Sequence, residues 1–256
     1  MYFFKKTNLV IKMVSDKQIK IIKSLKLKKN RIKHNLFVAE GDKTILELIT
    51  AGFNINSLYS INRQIEGVKN SVIQLSKPEL NKISNLSNPK NSLGVFEIPK
   101  PKKINYNKLI IGLDNISDPG NLGTIIRLCD WFGIEDLICS FDTVDCYNPK
   151  VVQASMGSIS RVNITYLDLQ KTLENKSLKT YGTYMQGDSI FEIDEIKNGV
   201  ILFGNEANGI NPNLSKFIDK RLSIPRFGKL KKTESLNVAN ALSIVLSENS
   251  RKSTEK

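Results

Sequence analysis

From Lys108 onward, short apolar runs alternate with stretches of helical periodicity, and this alternation constrains the fold more than any other feature of the chain. The runs are KLIIGLD, DLICS, VNITYL, KTYGTYM, VILFG and RLSIP. Between and after them, the spacing predicts helices over 122–132 and 149–159 and a final helix from Ser235 to about Glu248. Strands that alternate with helices build a mostly parallel sheet with flanking helices, so the expected class is α/β. In such sheets the ligand site lies outside the carboxyl ends of the strands.

A smaller unit precedes this region. In SDKQIKIIKSLKLKKNR, Ile19, Ile22 and Leu25 fall at helical spacing, lysines cover the remaining surface and Ser15 is placed to cap the helix. A strand is expected over 36–40, a helix over 43–51 closed by Gly52, strands near 57–60 and 72–76, a helix opening at Lys77-Pro78 and a last strand over 93–98. The stretch PKPKKINYNK then reads as a semi-rigid linker. The expected division is an extension over 1–13, with Met13 as an alternative start, a small domain over 14–98, a linker over 99–107, a larger domain over 108–249 and a frayed polar tail over 250–256.

Composition narrows the partners. A formal charge of +13 and a pI near 9.5 point to a polyanion, with nucleic acid favoured. Residues 1–50 hold twelve Lys/Arg against four Asp/Glu, so the surplus is N-terminal; the abundance of Lys and Asn also fits an AT-rich genome and discounts the charge. Arg31, Lys33, His34 and the lysine-rich first helix are candidates for RNA capture. Cys129, Cys139 and Cys146 form no CxxC pair, and His34 is the only imidazole, so no metal site is expected. Unpaired thiols fit a reducing cytoplasm. No window reaches the ~18 apolar residues of a membrane span, and the first residues lack the apolar core of a signal peptide.

Three segments concentrate polar chemistry at strand exits. In LDNISDPGNLGTIIR, Pro119 and Gly120 turn the chain and Asn121 stands just before a helix, either as its cap or as a site residue. Arg127 follows six residues later, expected on the same cleft while Ile125, Ile126 and Cys129 pack inward. GNEANG ends the run VILFG, its glycines allowing backbone to approach a ligand beside Glu206. In IPRFGKLKKTESLNVANA, a basic loop with Arg226, Lys229, Lys231 and Lys232 leads to a helix expected to be capped by Ser235, with Asn237 in its first turn. Taken singly, each segment reads as an ordinary cap or turn; together they imply one composite site. Neither GxGxxG nor GxxxxGK[ST] occurs, which disfavours a nucleotide-binding enzyme of Rossmann type.

Asn121 with Arg127, Gly204-x-Glu206-x-x-Gly209, Ile224-Pro225 and Ser235-Leu236-Asn237, in this order and spacing, resemble the three motifs of the SpoU (TrmH) family of RNA ribose 2′-O-methyltransferases. The resemblance covers about 108–248, and the small domain is similar to the family's substrate-binding domain. It implies a trefoil knot that binds S-adenosylmethionine and a homodimer with the active site at the interface. It also implies that the backbones of Gly204, Ile224 and Leu236 hold the adenosine, aided by the loop after Met185. Asn121, Glu206, Ser235 and Asn237 are implied to shape the site. Arg127 is assigned to the 2′-hydroxyl, either removing its proton or stabilising the alkoxide; a guanidinium that stays protonated below pH ~12 favours stabilisation. Ribosomal RNA is the expected substrate, with transfer RNA and a non-catalytic RNA-binding or ribosome-assembly role as alternatives.

Overall fold

The computed structural model describes residues 14–175, 177–230 and 235–254 and divides into two compact units, one ending at Ile98 and the other starting at Pro99. The first unit runs α1 (Asp16–Ser24), α2 (Lys28–His34), β1 (Leu36–Glu40), α3 (Asp42–Thr50), β2 (Ile55–Ser60), β3 (Ile73–Gln74), α4 (Lys77–Ile83) and β4 (Ser92–Glu97). Its sheet has the order β1-β4-β2-β3, antiparallel except for the β2/β3 pair. Ile22, Leu25, Tyr59, Leu80 and Val95 pack in one core cluster, so the spacing of α1 does bury its apolar stripe. The expected Ser15 cap is present as a capping box closed by Gln18. The strand expected over 72–76 is reduced to two residues.

Arg31 departs from its expected role. Its side chain is buried, and its guanidinium donates to the carbonyls of Leu25 at 2.8 Å and Lys26 at 2.9 Å. Those carbonyls lie just past the end of α1, where helical partners run out, so Arg31 fastens α1 to α2 and is withdrawn from RNA capture. Lys33 and His34 remain on the surface of α2.

The second unit contains β5 (Leu109–Leu113), α5 (Pro119–Trp131), β6 (Asp136–Cys139), α6 (Pro149–Ser155), a 3-10 turn (Ser158–Ser160), β7 (Asn163–Tyr166), α7 (Leu169–Leu173), β8 (Thr180–Ser189), β9 (Gly199–Phe203), α8 (Pro212–Ser215), β10 (Lys220–Ser223) and α9 (Val238–Thr254). Every pairing in its sheet, ordered β10-β8-β9-β5-β6-β7, is parallel. The central strands β5 and β9 are buried on both faces, as their unbroken apolar sequences require. This is the α/β class expected from the alternation.

Three helix boundaries differ from expectation. The helix expected over 149–159 stops at Ser155, because Met156 adopts φ 48° and breaks the hydrogen-bond ladder before the 3-10 turn. The last helix starts at Val238 rather than Ser235 and continues to Thr254, so most of the expected frayed tail is helical. Glu248 ties down its final turns by pairing with Arg251 at 2.7 Å and Lys252 at 3.3 Å. The helix expected from Leu122 starts at Pro119, for a reason that shapes the site. The extension over 1–13, Lys231, Lys232 and the last two residues lie outside the described residues.

Candidate active site

The site grows from the exits of β5 and β9. Asp118 caps α5 by accepting from the Asn121 N–H at 2.7 Å, with Pro119 at the first helical position, where a missing N–H costs nothing. Asn121 is therefore not the cap, and its side chain is free to act elsewhere. Just upstream, Asp114 accepts from the Asn211 N–H at 2.7 Å, and burial pushes its carboxyl above the ordinary range. Asn115, in the left-handed region at φ 56°, receives the Asn205 amide on its carbonyl at 2.8 Å. These two bonds pin the ends of the segment 205–211 to the end of β5.

That segment closes on itself. Asn205 and Gly209 exchange backbone bonds of 3.0 and 2.8 Å, while Asn205 Oδ1 accepts from the N–H groups of Ala207 at 3.0 Å and Asn208 at 3.2 Å. Gly204 is indispensable to this turn, since a Cβ there would stand 2.1 Å from the Gly209 carbonyl carbon. The closed turn presents Glu206 to α5, where Asn121 Nδ2 donates to Glu206 Oε1 at 2.7 Å.

The third segment completes a chain of polar groups. Asn237, not Ser235, caps α9, its Oδ1 accepting from the N–H groups of Ala239 at 3.0 Å and Asn240 at 3.3 Å. Its Nδ2 donates to Asn121 Oδ1 at 2.9 Å. The amide of Asn121 thus spans two neighbours of opposite demand, donating to a carboxylate and accepting from an amide. Residues 85 and 116 positions away along the chain meet on it.

Beside this chain opens a cleft of about 1150 Å³. Gly204, Glu206, Ile224, Ser235 and Leu236 line it, so five of the eight expected site residues share its wall. Asn121 and Asn237 stand behind Glu206 through the bonds just described. Arg127 does not join them. Six residues carry it about 240° around the helix from Asn121, so the two do not share a face. It is exposed and forms no hydrogen bond or ion pair with a described residue. The sequence reading that set both on one cleft was an error of helical phase.

Thr183 and Met185 also line the cleft, earlier in the chain than the loop expected after Met185. Between Gly182 and Asp188 the pairing of β8 with β10 jumps, so residues 183–187 bulge out while Arg221 and Leu222 stay consecutive. The signal was available: Gly182 and Gly187 interrupt the apolar run in TYGTYMQGDS, as at a bulge. Thr183 Oγ1 donates to the Leu202 carbonyl at 3.1 Å, which fixes the bulge to β9.

Residues 108–247 match the sequence profile of the SpoU rRNA methylase family, more than half of the chain. The chain belongs to the SpoU rRNA methylase family. Residues 16–94 match a second profile, the MRM3-like substrate-binding domain. Among relatives of this SpoU protein, the 23S rRNA (guanosine(2553)-2′-O)-methyltransferase RlmP of Bacillus subtilis is 28% identical over 244 residues, 92% of this chain and 97% of the relative. A TrmH-family protein of Porphyromonas gingivalis superposes with a TM-score of 0.86 at 33% identity, over 94% of this chain and 99% of that one. An AdoMet-bound rRNA methyltransferase of Sinorhizobium meliloti gives 0.81 at 28% identity, over 93% and 97% of the two chains.

Proposed function

We propose that the protein transfers a methyl group from S-adenosylmethionine to a ribose 2′-hydroxyl of structured RNA, with ribosomal RNA the substrate. The observation that carries this reading is the convergence of Glu206, Asn121 and Asn237 into one hydrogen-bonded chain beside the cleft. The relatives named above support the substrate class. The cleft has room for the cofactor: its volume is above the roughly 300–1,000 Å³ of ordinary small-molecule pockets, and its lining sets apolar side chains such as Met185, Ile190 and Leu222 beside Gly204, Ile224 and Leu236, whose backbones would hold the adenosine.

When bound, the cofactor supplies an electrophilic methyl on a sulfonium. This chain's residues orient the nucleophile and stabilise it. Glu206, fixed by Asn121 and the closed turn of 204–209, brings a carboxylate to the cleft, and Ser235 adds a hydroxyl to the same lining. Arg127 stabilises the developing alkoxide or orients the adjoining phosphate. Its exposure and its position on the wrong face for its own cleft support a homodimer in which it completes the site of a second copy. A trefoil knot is part of the reading: β10 lies at the edge of the sheet, yet α9, the next element, packs on α5, which follows the central strand β5. The first unit, with Lys33, His34 and the lysines of α1, captures RNA, and the protein works in the cytoplasm.

The test mixes the purified protein with labelled S-adenosylmethionine and total RNA from a strain lacking the gene. Any 2′-O-methyl nucleotide is then mapped by its resistance to alkaline cleavage. A single mapped site is expected; cofactor binding without transfer to any RNA form would overturn the reading.

A further inference from the structure

The mouth of the cleft carries two phenylalanines that the fold leaves in water. Phe227 is 83% exposed and Phe191 42%, with ring centroids 6.2 Å apart and planes tilted by 42°. They arrive from different elements: Phe191 follows cleft-lining Ile190 at the end of β8, and Phe227 lies between cleft-lining Arg226 and Gly228. The backbone under Phe191 is tied from three directions. The Ile190 N–H donates to the Ser223 carbonyl at 3.0 Å, the Phe191 N–H to Ser189 Oγ at 3.2 Å, and Lys252 Nζ to the Ile190 carbonyl. Phe191 is thus a fixed backing against which Phe227 rests, with most of the Phe227 ring open.

Large apolar side chains in water forgo the free energy of burial, so an exposed, braced pair at a site mouth calls for an occupant. Charge decides its class. Arg226 and Lys229 flank Phe227, and Lys231 and Lys232 follow in sequence; the acid nearest to Phe227 along the chain is Glu234, seven residues on, while Glu192 adjoins the backing ring of Phe191. Cations around an aromatic face match a nucleobase with its phosphate: every base offers a π-face, and the backbone offers the counter-charge.

We propose that Phe227, backed by Phe191, stacks on an unpaired base of the RNA next to the ribose to be methylated, while Arg226 and Lys229 hold the adjoining phosphate. The proposal rests on the function given above and adds to it a base-stacking subsite at the rim of the cleft. Such a platform selects unpaired nucleotides without choosing among the four bases.

The chain has one tryptophan, Trp131, so the double variant Trp131→Phe/Phe227→Trp leaves a single reporter at the rim. Full-length protein is titrated with a single-stranded oligoadenylate and with an abasic oligonucleotide of equal length and charge. Stacking predicts strong quenching by the first and little by the second. In parallel, the KM for substrate RNA is measured for Phe227→Ala, Phe227→Leu and Phe227→Trp, with cofactor affinity and molecular mass in solution as controls. Ala and Leu are expected to raise this KM on the order of tenfold or more, while Trp keeps it, with cofactor affinity and mass unchanged. Equal quenching by the abasic strand, full rescue by Leu, or a change of oligomeric mass showing that a second copy covers Phe227 would each overturn the proposal. Absence of methyl transfer by the wild type would instead strike the function itself, and the fluorescence titration would still decide the stacking.

Discussion

Asn121→Asp changes one atom of the polar chain and tests its logic directly. The substitution replaces the Nδ2 donor, 2.7 Å from Glu206 Oε1, with a second carboxylate oxygen, while Oδ1 goes on accepting from Asn237 at 2.9 Å. Two unit charges at that distance repel by roughly 6 kcal/mol at an effective dielectric constant of about 20, before solvent screening. The pair therefore favours sharing one proton over carrying two charges. Carboxylates that share a site hold that proton at low pH and lose it as pH rises. While it is held, the shared proton restores the missing donor. Methyl-transfer rates of the variant relative to wild type should thus fall steadily as pH rises, approaching tenfold per pH unit once most of the pairs have lost the proton. Single-turnover assays with saturating RNA and cofactor between pH 5.5 and 8.5 measure this ratio. The double variant Asn121→Asp/Glu206→Gln reverses donor and acceptor and should give a ratio independent of pH. A flat ratio in the single variant, or full activity at pH 8, would refute the argument that this bond organises the site.

Gly204→Ala should abolish cofactor binding in equilibrium dialysis while leaving a folded protein, because the added carbon meets backbone 2.1 Å away that no side-chain rotation can clear. Arg127→Lys should lose most transfer activity with cofactor affinity intact, since the ammonium lacks the planar fork of guanidinium; near-full turnover would remove Arg127 from the site. Asp114 has its carboxyl pushed above the ordinary 3.8 by burial, opposed by the Asn211 N–H bond. A raised value means the folded state favours the neutral form, so the stabilisation is present at low pH and lost as pH rises through the folded pKa. Wild type should accordingly gain Tm relative to Asp114→Asn as pH falls from 7 toward 4, and a constant difference would contradict that sign. Burial pushes the thiols of Cys129 and Cys139 far up, so neither should react with Ellman's reagent at pH 8 until the protein is denatured.

Much of the site was legible along the chain because its residues are local punctuation. Gly204 and Gly209 had to be glycines in a tight turn, Pro119 and Asp118 mark a helix start, and Ser235-Leu236-Asn237 precede a helix. Which polar residue does the capping was not legible. Asp118 and Asn121 stand three apart and Ser235 and Asn237 two apart, and either member of each pair gives an acceptable start; packing chose Asp118 and Asn237 and thereby set Asn121 facing Glu206.

The sequence by itself determined the α/β class, the strand order along the chain and the apolar faces, since the periods of helix and strand are local and burial follows them. It also carried the motif set that assigns the family. Only the tertiary structure decided which groups meet. The bond from Asn121 to Glu206 joins residues 85 positions apart, and a chain sequence holds no distance between them. The bulge over 183–187 exists because β10 pairs with both halves of β8, a choice made across strands. Arg31 left the surface because α1 ends where its guanidinium can reach two free carbonyls. Arg127 keeps its charge outside its own cleft because helical phase, fixed once α5 packs on α6 and α9, turns it there.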